Sequence, residues 1–488
     1  MTDPNAPLTR RAAREVGRAS AGRSSGTSVF ARHPRILLGS ALGLAFVLLG
    51  TGAVVAGALT GAGSTVAGPA PVAEETVPRA VPETEPAPTR LRTCSIKGIA
   101  SDPRLAKLYA SVVNDETGEV LFERRGDVPA RTASVLKIFT GSAAVSVLGS
   151  DYEIATTVYA GSAPGSVVLV GRGDTTLSRL TTGKSVYKGA PRLSTLAAQV
   201  VAAHSAKYPG VPITELVVDA SYWNPKDNWE PSWDDSDLTN GYQAKVTALQ
   251  VDGDRDDPTV QNSRRSTDPV ARAGTAFASA LARAAGTVAP TVRSGSATST
   301  TKLGEVKSQP VSKLVKQMLA KSDGALAENL ARIVSLEMGF DGSSASLQTA
   351  IPQAITALGG ELDDVTIIDG SGLSKKNAIA PTDMARFIGI VNSGPAELDV
   401  VYKALAVAGE SGGLTERFVN SNAKGHVRAK VGRIVTAVTL AGVIDAKDGT
   451  TLTFAFYTVN GAVADTTKAA IDELTAAVYT CGDDLANH

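Results

Sequence analysis

Apolar and polar positions divide this chain into three stretches of different character. Residues 36–59, ILLGSALGLAFVLLGTGAVVAGAL, run for 24 positions without a charge. About 20 apolar residues span the hydrocarbon core of a bilayer as a helix, so a membrane span is expected here. Residues 62–92 have no apolar period and are dense in Pro, Ala, Thr and Glu. Proline lacks an amide donor and fixes φ, which makes this stretch an extended spacer. From about residue 95 to residue 480 the apolar period switches between that of strands and that of helices.

Within that last stretch LYASVVND and GEVLFERR read as two strands around Glu116-Thr117-Gly118, a hairpin. Residues 134–149 follow as a helix, with Leu136, Phe139, Ala143 and Val147 at helical spacing and Gly149 as its stop. SVVLVGRGD (166–174) and ELVVDAS (215–221) are short strands, and GRGD is only a turn. Residues 269–286 and 311–337 are amphipathic helices, the second opening after Pro310. HVRAKVGRIVTAVTLAGVID and TLTFAFYTVN are long strand-like runs, and TTKAAIDELTAAVY closes the chain as a helix. The pattern predicts an α/β (α+β) mixture with antiparallel hairpins rather than a βαβ series, which speaks against a doubly wound sheet. No internal repeat and no Walker or dinucleotide glycine motif is present.

Composition changes this picture in three places. At roughly 100–200 residues per domain, 488 residues predict two to four domains. The formal charge of zero is a cancellation: residues 1–35 carry seven arginines against Asp3 and Glu15, a net of +5, so the remainder sums to −5. Arginines belong on the cytoplasmic side of a span, which places the C-terminal part outside. The expected location is therefore the cell membrane, single-pass, with the globular part extracytoplasmic. A cleavable signal is the rival. Its basic region would be unusually long and its apolar core longer than the usual ~7–15 residues, so an uncleaved anchor is preferred. Balanced charge argues against a nucleic-acid partner. Four histidines and two cysteines, none clustered, leave little for a metal site and weaken any Ser-His-Asp arrangement. Cys94 and Cys481 open and close the globular stretch. In an oxidising compartment a disulfide between them would staple its two ends, two unrelated buried thiols being the alternative.

The candidate chemistry starts at Ser134-Val-Leu-Lys137. Positions i and i+3 share a helix face, so Lys137 can reach the Ser134 hydroxyl. A desolvated lysine can take that proton and make an acylating serine without histidine. The same S-x-x-K spacing occurs at Ser185–Lys188, Ser299–Lys302 and Ser421–Lys424. Only Ser134 opens an apolar helix directly after a hairpin.

The stretch ARTASVLKIFTGSAAVSVLGSDYEIATTVY resembles the active-site segment of the peptidase S13, or penicillin-binding protein 4-like, D-alanyl-D-alanine carboxypeptidases. LVGRGDTTLS (169–178), YQAKVTALQV (242–251), KSDGALAENLAR (321–332), IDGSGLSKKNAIAPTDMARFI (368–388) and VAGESGGLTERF…HVRAKVGRI (407–434) are similar to further family segments, in the family's order. The resemblance covers residues 97–480. It implies a penicillin-binding/serine β-lactamase-like transferase domain with an antiparallel sheet flanked by helices (94–157 and 301–488). It also implies an inserted domain (158–300), since 188 residues separate Ser134 from Ser322.

The resemblance also implies roles. Ser134 is the nucleophile, Lys137 the base, Ser322 a proton relay and Lys430 an electrostatic clamp. Backbone N–H groups of Ser134 and Arg433 are expected to form the oxyanion hole. The substrates are peptidoglycan stem peptides, β-lactams are covalent inhibitors, and no metal or organic cofactor is implied. Two motifs depart from the family pattern. Where the family has S-x-N, whose amide binds substrate and the first lysine, this chain has Ser322-Asp323-Gly324; where it has K-T-G, whose hydroxyl grips the substrate carboxylate, it has Lys430-Val431-Gly432. Arg433 replaces the hydroxyl residue that follows and either pairs with a carboxylate or points to solvent. A lost hydrogen bond to a charged group costs roughly 1.5–3 kcal/mol, so weakened carboxypeptidase or endopeptidase activity is expected. Restoring Gly324→Asn and Val431→Thr should raise it. The alternative is an impaired enzyme that keeps the fold as a cell-wall binding or scaffold protein, and a β-lactamase is disfavoured. Asp369 and Ser371 read as turn residues, Glu328 as structural, Trp223, Trp229 and Trp233 as packing between domains, and the acidic run 233–237 as a solvated loop.

Overall fold

The computed structural model describes residues 91–487. The expected basic tail, the membrane anchor and nearly all of the spacer lie outside the described residues. Among those described, no helix is long and apolar enough to cross a membrane.

The chain enters through a hairpin, β1 (Lys107–Asn114) and β2 (Val120–Arg124), whose turn carries Gly118 at φ 73°. A 3-10 turn, Ala133–Leu136, leads into helix α1 (Lys137–Leu148). The chain then builds a second sheet from β3 (Ala155–Ala160), β4 (Ser166–Val170), β5 (Glu215–Asp219), β6 (Thr291–Ser294) and β7 (Lys302–Lys307), with helices α2 (Leu193–Lys207) and α3 (Pro269–Ala285) between its strands. Helices α4 (Val311–Lys321), α5 (Gly324–Glu337), α6 (Leu347–Ala357) and α7 (Pro381–Ser393) follow. Strands β8 (Ala406–Val407), β9 (Val427–Ile434), β10 (Ala437–Asp445) and β11 (Thr451–Val459) then return to the first sheet, and α8 (Thr466–Cys481) closes the chain. The disulfide Cys94–Cys481 joins residues 387 apart in sequence.

The first sheet has the order β2-β1-β11-β10-β9-β8 and is antiparallel throughout. Its strands are buried on both faces, and the parity of the sequence sorts them. Tyr109, Ala441, Val443, Ala455 and Tyr457 share a core with Phe387 and Ile388 of α7 and with α1, α4 and α5. Leu440, Ile444, Phe454 and Phe456 pack with Ile471, Leu474 and Val478 of α8. The near-alternating TLTFAFYTV is thus apolar on one side and apolar with small and polar residues on the other.

Two sequence expectations need correction. The second sheet, ordered β6-β5-β4-β3-β7, pairs β4 with β5 and β5 with β6 in parallel, with α2 and α3 as crossovers. It therefore contains the βαβ units that the hairpin pattern argued against. Helix α1 is buried from Lys137 to Val145, in keeping with its apolar sequence, because helices pack around it. The predicted helix 311–337 is two helices. Ser322 takes φ 54°, a left-handed conformation that ends α4, and Asp323 caps α5 by accepting from the Leu326 amide at 3.1 Å.

Candidate active site

Ser134 lies in the 3-10 turn before α1, and Lys137 is the first residue of that helix. The i, i+3 spacing brings them together: Lys137 Nζ donates to Ser134 Oγ at 3.1 Å and to the Ser371 carbonyl at 2.6 Å. The turn is held in an uncommon shape, with Ala133 at φ 45°. Gly372, at φ 82°, permits it, since a Cβ there would stand 1.9 Å from the Ala133 carbonyl oxygen.

Lys137 is 1% exposed. Burial pushes its pKa down from 10.5 to about 8, against the upward pull of Asp369, Glu328 and Asp323. Beneath it the DGSGLS segment folds around one carboxylate. Asp369 accepts from the amides of Ser371, Gly372 and Ser374, from Asn377 Nδ2 and from Trp233 Nε1. Glu328 accepts from the Ser371 amide at 2.7 Å. Burial, then the charge of Asp369, lifts the Glu328 carboxyl to about 7. Thr140 of α1 donates to the Gly370 carbonyl at 2.6 Å. Asp369 and Ser371 accordingly form the turn read from the sequence. That turn also delivers the carbonyl that aims the Lys137 ammonium.

Ser322 and Lys430 meet across the site, with Lys430 Nζ 3.1 Å from Ser322 Oγ and donating to its neighbour's carbonyl, Val431 O, at 2.7 Å. Lys430 is driven well below the lysine range by burial and then by Lys137. Ser322 is fixed through its neighbour. Asp323 Oδ2 accepts from Arg255 Nη2 at 2.8 Å, from Tyr187 Oη at 3.2 Å and from Gln261 Nε2 at 3.2 Å. Burial alone would raise the Asp323 carboxyl, but Arg255 and Arg265 hold it at about 2. The segment after β5 therefore anchors the helix break that presents Ser322.

Gly432 pairs with Thr439 across β9 and β10. A Cβ on Gly432 would stand 2.2 Å from Thr439 Oγ1 and 2.9 Å from the Ser134 amide nitrogen. Thr439 Oγ1 in turn donates to the Thr132 carbonyl at 2.8 Å, tying this strand pair to the Ser134 turn. Val431 packs toward Gly413, where an added Cβ would lie 2.6 Å from Val431 Cγ2. Arg433 is exposed and ion-pairs with Asp465, which is more exposed still and directly precedes α8. Gly324 opens α5, facing Gln243.

A cavity of about 1120 Å³ joins these groups: Ser134, Lys137, Ser322, Gly324, Val431, Gly432 and Arg433 all line it. Trp233, Asp234 and Asp237 contribute to its wall, so the acidic run is part of the cleft rather than only a solvated loop. Burial, then Asp234, raises the Asp237 carboxyl to about 6. Trp229 and Trp233 stack edge to face at 5.0 Å, and Trp233 reaches Asp369, which fits packing between the two parts of the fold. The other S-x-x-K serines lie elsewhere; Ser185, for example, bonds to Asp252. Among the described residues no cluster of His, Cys, Asp or Glu could hold a metal ion.

Sequence reasoning did not find Arg255, the Asp323 anchor or Gln243. The acidic and basic run Asp252–Asp257 was the available signal, since charges in so apolar a neighbourhood need partners.

The D-Ala-D-Ala carboxypeptidase 3 (S13) family model matches residues 93–262 and 255–478. The chain is 34% identical over 409 residues to carboxypeptidase DacB of Mycolicibacterium smegmatis, covering 81% of this chain and 86% of that one. It is 33% identical over 398 residues to a carboxypeptidase of Mycobacterium tuberculosis, covering 80% and 84%. The crystal structure of penicillin binding protein 4 (dacB) from Haemophilus influenzae superposes with a TM-score of 0.63 at 17% identity, covering 78% of this chain and 97% of that one. The fold, an antiparallel sheet flanked by helices with a second sheet inserted, is therefore shared.

Proposed function

This chain belongs to the D-Ala-D-Ala carboxypeptidase 3 (S13) family, and from that premise we propose that it hydrolyses the terminal D-Ala–D-Ala bond of peptidoglycan stem peptides through an acyl-enzyme on Ser134, more slowly than an intact motif set would allow. The observation that carries the proposal is the buried Lys137 ammonium on the Ser134 hydroxyl, titrating near 8. At neutral pH about a tenth of it is uncharged and able to accept the serine proton, close to the condition for an effective general base.

Ser134 Oγ attacks the carbonyl carbon of the penultimate D-alanine as Lys137 takes its proton. The developing oxyanion sits at the Ser134 amide, where Gly432 leaves room, and the Arg433 amide is the second donor. Collapse breaks the C–N bond, the Lys430–Ser322 pair delivers a proton to the departing amine, and Lys137 passes the proton it took from Ser134 back to that pair, which leaves Lys137 neutral again. Water, deprotonated in turn by Lys137, releases the acyl group. A β-lactam amide would open on the same serine. Burial, then the charge of Lys137, lowers the proton affinity of Lys430, and a substrate carboxylate beside it would raise that affinity again.

Val431 and Gly324 favour a second reading, an impaired enzyme acting as a cell-wall binding protein, because each removes a polar group the family pattern supplies. A fluorescent penicillin separates the two: Ser134-dependent labelling, absent in Ser134→Ala, supports acyl transfer, and no labelling of a folded sample supports the scaffold. We also place the globular part outside the cytoplasmic membrane behind an uncleaved anchor, supported by residues 1–59 and by the disulfide. Protease added to intact cells should remove it; resistance until lysis would refute that placement.

A further inference from the structure

Gly324 is small for a reason. A Cβ at this position would meet Gln243 Oε1 at 2.5 Å and the Tyr242 carbonyl at 3.1 Å. The Gln243 carboxamide thus stands in the direction that any side chain at 324 would take, and Gly324 lines the cavity with Ser134, Lys137 and Ser322. Gln243 is 0% exposed, and neither its Oε1 nor its Nε2 has a hydrogen-bond partner. A buried carboxamide offers one acceptor and two donors, and leaving all of them unmade is costly. Its backbone does not wander: the Tyr242 and Gln243 amides both donate to the Asp237 carbonyl, and the adjoining Ala244 and Val246 are buried.

We propose that Gln243 is a substrate-binding residue of the Ser134 site, its carboxamide crossing the gap that Gly324 leaves open to pair with the amide of the stem peptide's acyl portion. This deepens the acyl-transfer reading and rests on it for the identity of the ligand. A peptide amide presents one N–H and one carbonyl, the complement of the two unpartnered ends of Gln243. The carboxamide missing from the helix break is thereby supplied from the segment after β5. The exchange also means that Gly324→Asn alone should not restore activity, since the new side chain and Gln243 would claim the same space.

The test uses the full-length chain carrying Ser134→Ala, so that binding is measured without turnover, with a dansylated Lys-D-Ala-D-Ala peptide as probe. Gln243→Met keeps the side-chain volume and removes both polar ends. It should weaken peptide binding about tenfold while melting no lower than its parent, since an unsatisfied buried group has been removed. Gly324→Asn alone should lose both binding and melting temperature. Gln243→Ala with Gly324→Asn should bind within about threefold of the parent, a non-additive recovery that packing alone does not produce. Unchanged binding by Gln243→Met, or a double variant no better than Gln243→Ala, overturns the proposal. If penicillin fails to label Ser134 in the unaltered chain while peptide binding depends on Gln243, acyl transfer falls and the binding role stands. If the Ser134→Ala protein binds no peptide, both fall.

Discussion

Replacing Lys137 with methionine should make the folded protein more stable as it abolishes acylation. Lys137 is 1% exposed and titrates near 8 where an ordinary lysine titrates at 10.5. At about 1.4 kcal/mol per tenfold change in protonation, holding the charged form in the fold costs about 3 kcal/mol at pH 7. Between pH 8 and 10.5 the unfolded chain binds more protons than the folded one at this site, so stability rises with pH there. Below 8 both states are protonated and the full cost remains. The Lys137→Met advantage should therefore be about 3 kcal/mol at pH 7 and shrink to about 1 kcal/mol at pH 10. Removing the Lys137 charge also relieves Lys430, an effect of the same sign. Urea denaturation of the two proteins at pH 7, 8.5 and 10 measures the gap, and penicillin acylation of the unaltered protein should rise with pH through about 8. A gap that does not change with pH, or a wild type more stable at pH 7, refutes the reasoning.

Three further outcomes follow from the same geometry. Val431→Thr returns a hydroxyl beside the Lys430 clamp and should raise kcat/KM on a D-Ala-D-Ala peptide about tenfold or more, the worth of one hydrogen bond to a charged group; no rise would show that the hydroxyl is not what limits the site. Arg255→Met strands the Asp323 carboxylate, whose side chain is 1% exposed beside an Arg255 side chain at 0%, and should cost about 3–5 kcal/mol in urea denaturation, with Asp323→Asn recovering part of it; a loss below about 1 kcal/mol would contradict the pair's structural role. Gly432→Ala forces a Cβ to within 2.2 Å of Thr439 Oγ1 and should slow penicillin acylation about a hundredfold by displacing the Ser134 turn, with Thr439→Ala restoring part; equal rates would mean the turn is not set by this strand pair.

How much of this was legible in the sequence depended on whether the signal was local. The first hairpin, α1, β9–β11 and α8 were readable because each is a short periodic run with a turn or glycine at its end. Ser134 and Lys137 were readable because i, i+3 is a local relation. The break at Ser322 was not, since LVKQMLAKSDGALAENLAR continues a helical period straight through it. What interrupts the helix there is Asp323, caught by Arg255 from 68 residues away. The parallel strands β4 to β6 were missed for a similar reason. Crossover pairing is decided by where α2 and α3 pack, and each strand viewed alone is only a short apolar run. Gln243 carried no signal of its own, the charged run pointing only to Arg255 and Asp323, because its amide gains meaning only beside Gly324, whose missing side chain leaves it room.

Both serines of the site carry a buried lysine at 3.1 Å, yet neither lysine sits beside a carboxylate that pairs with it directly. Asp369 and Glu328 act on Lys137 through space, with the Ser371 peptide between them and the ammonium. Lys430 lacks even that help, and Lys137 repels it. The protein itself thus offers Lys430 no direct counter-charge, which a ligand carrying a terminal carboxylate would supply. On the proposed reading, such a ligand would raise the proton affinity of Lys430, so a preference for a C-terminal carboxylate would rest on desolvated charge as well as on hydrogen-bond geometry. That distinction sets the size of the damage at Val431. On that reading the valine removes a directional contact, worth about ten- to a hundredfold, but leaves the electrostatic demand for a terminal carboxylate.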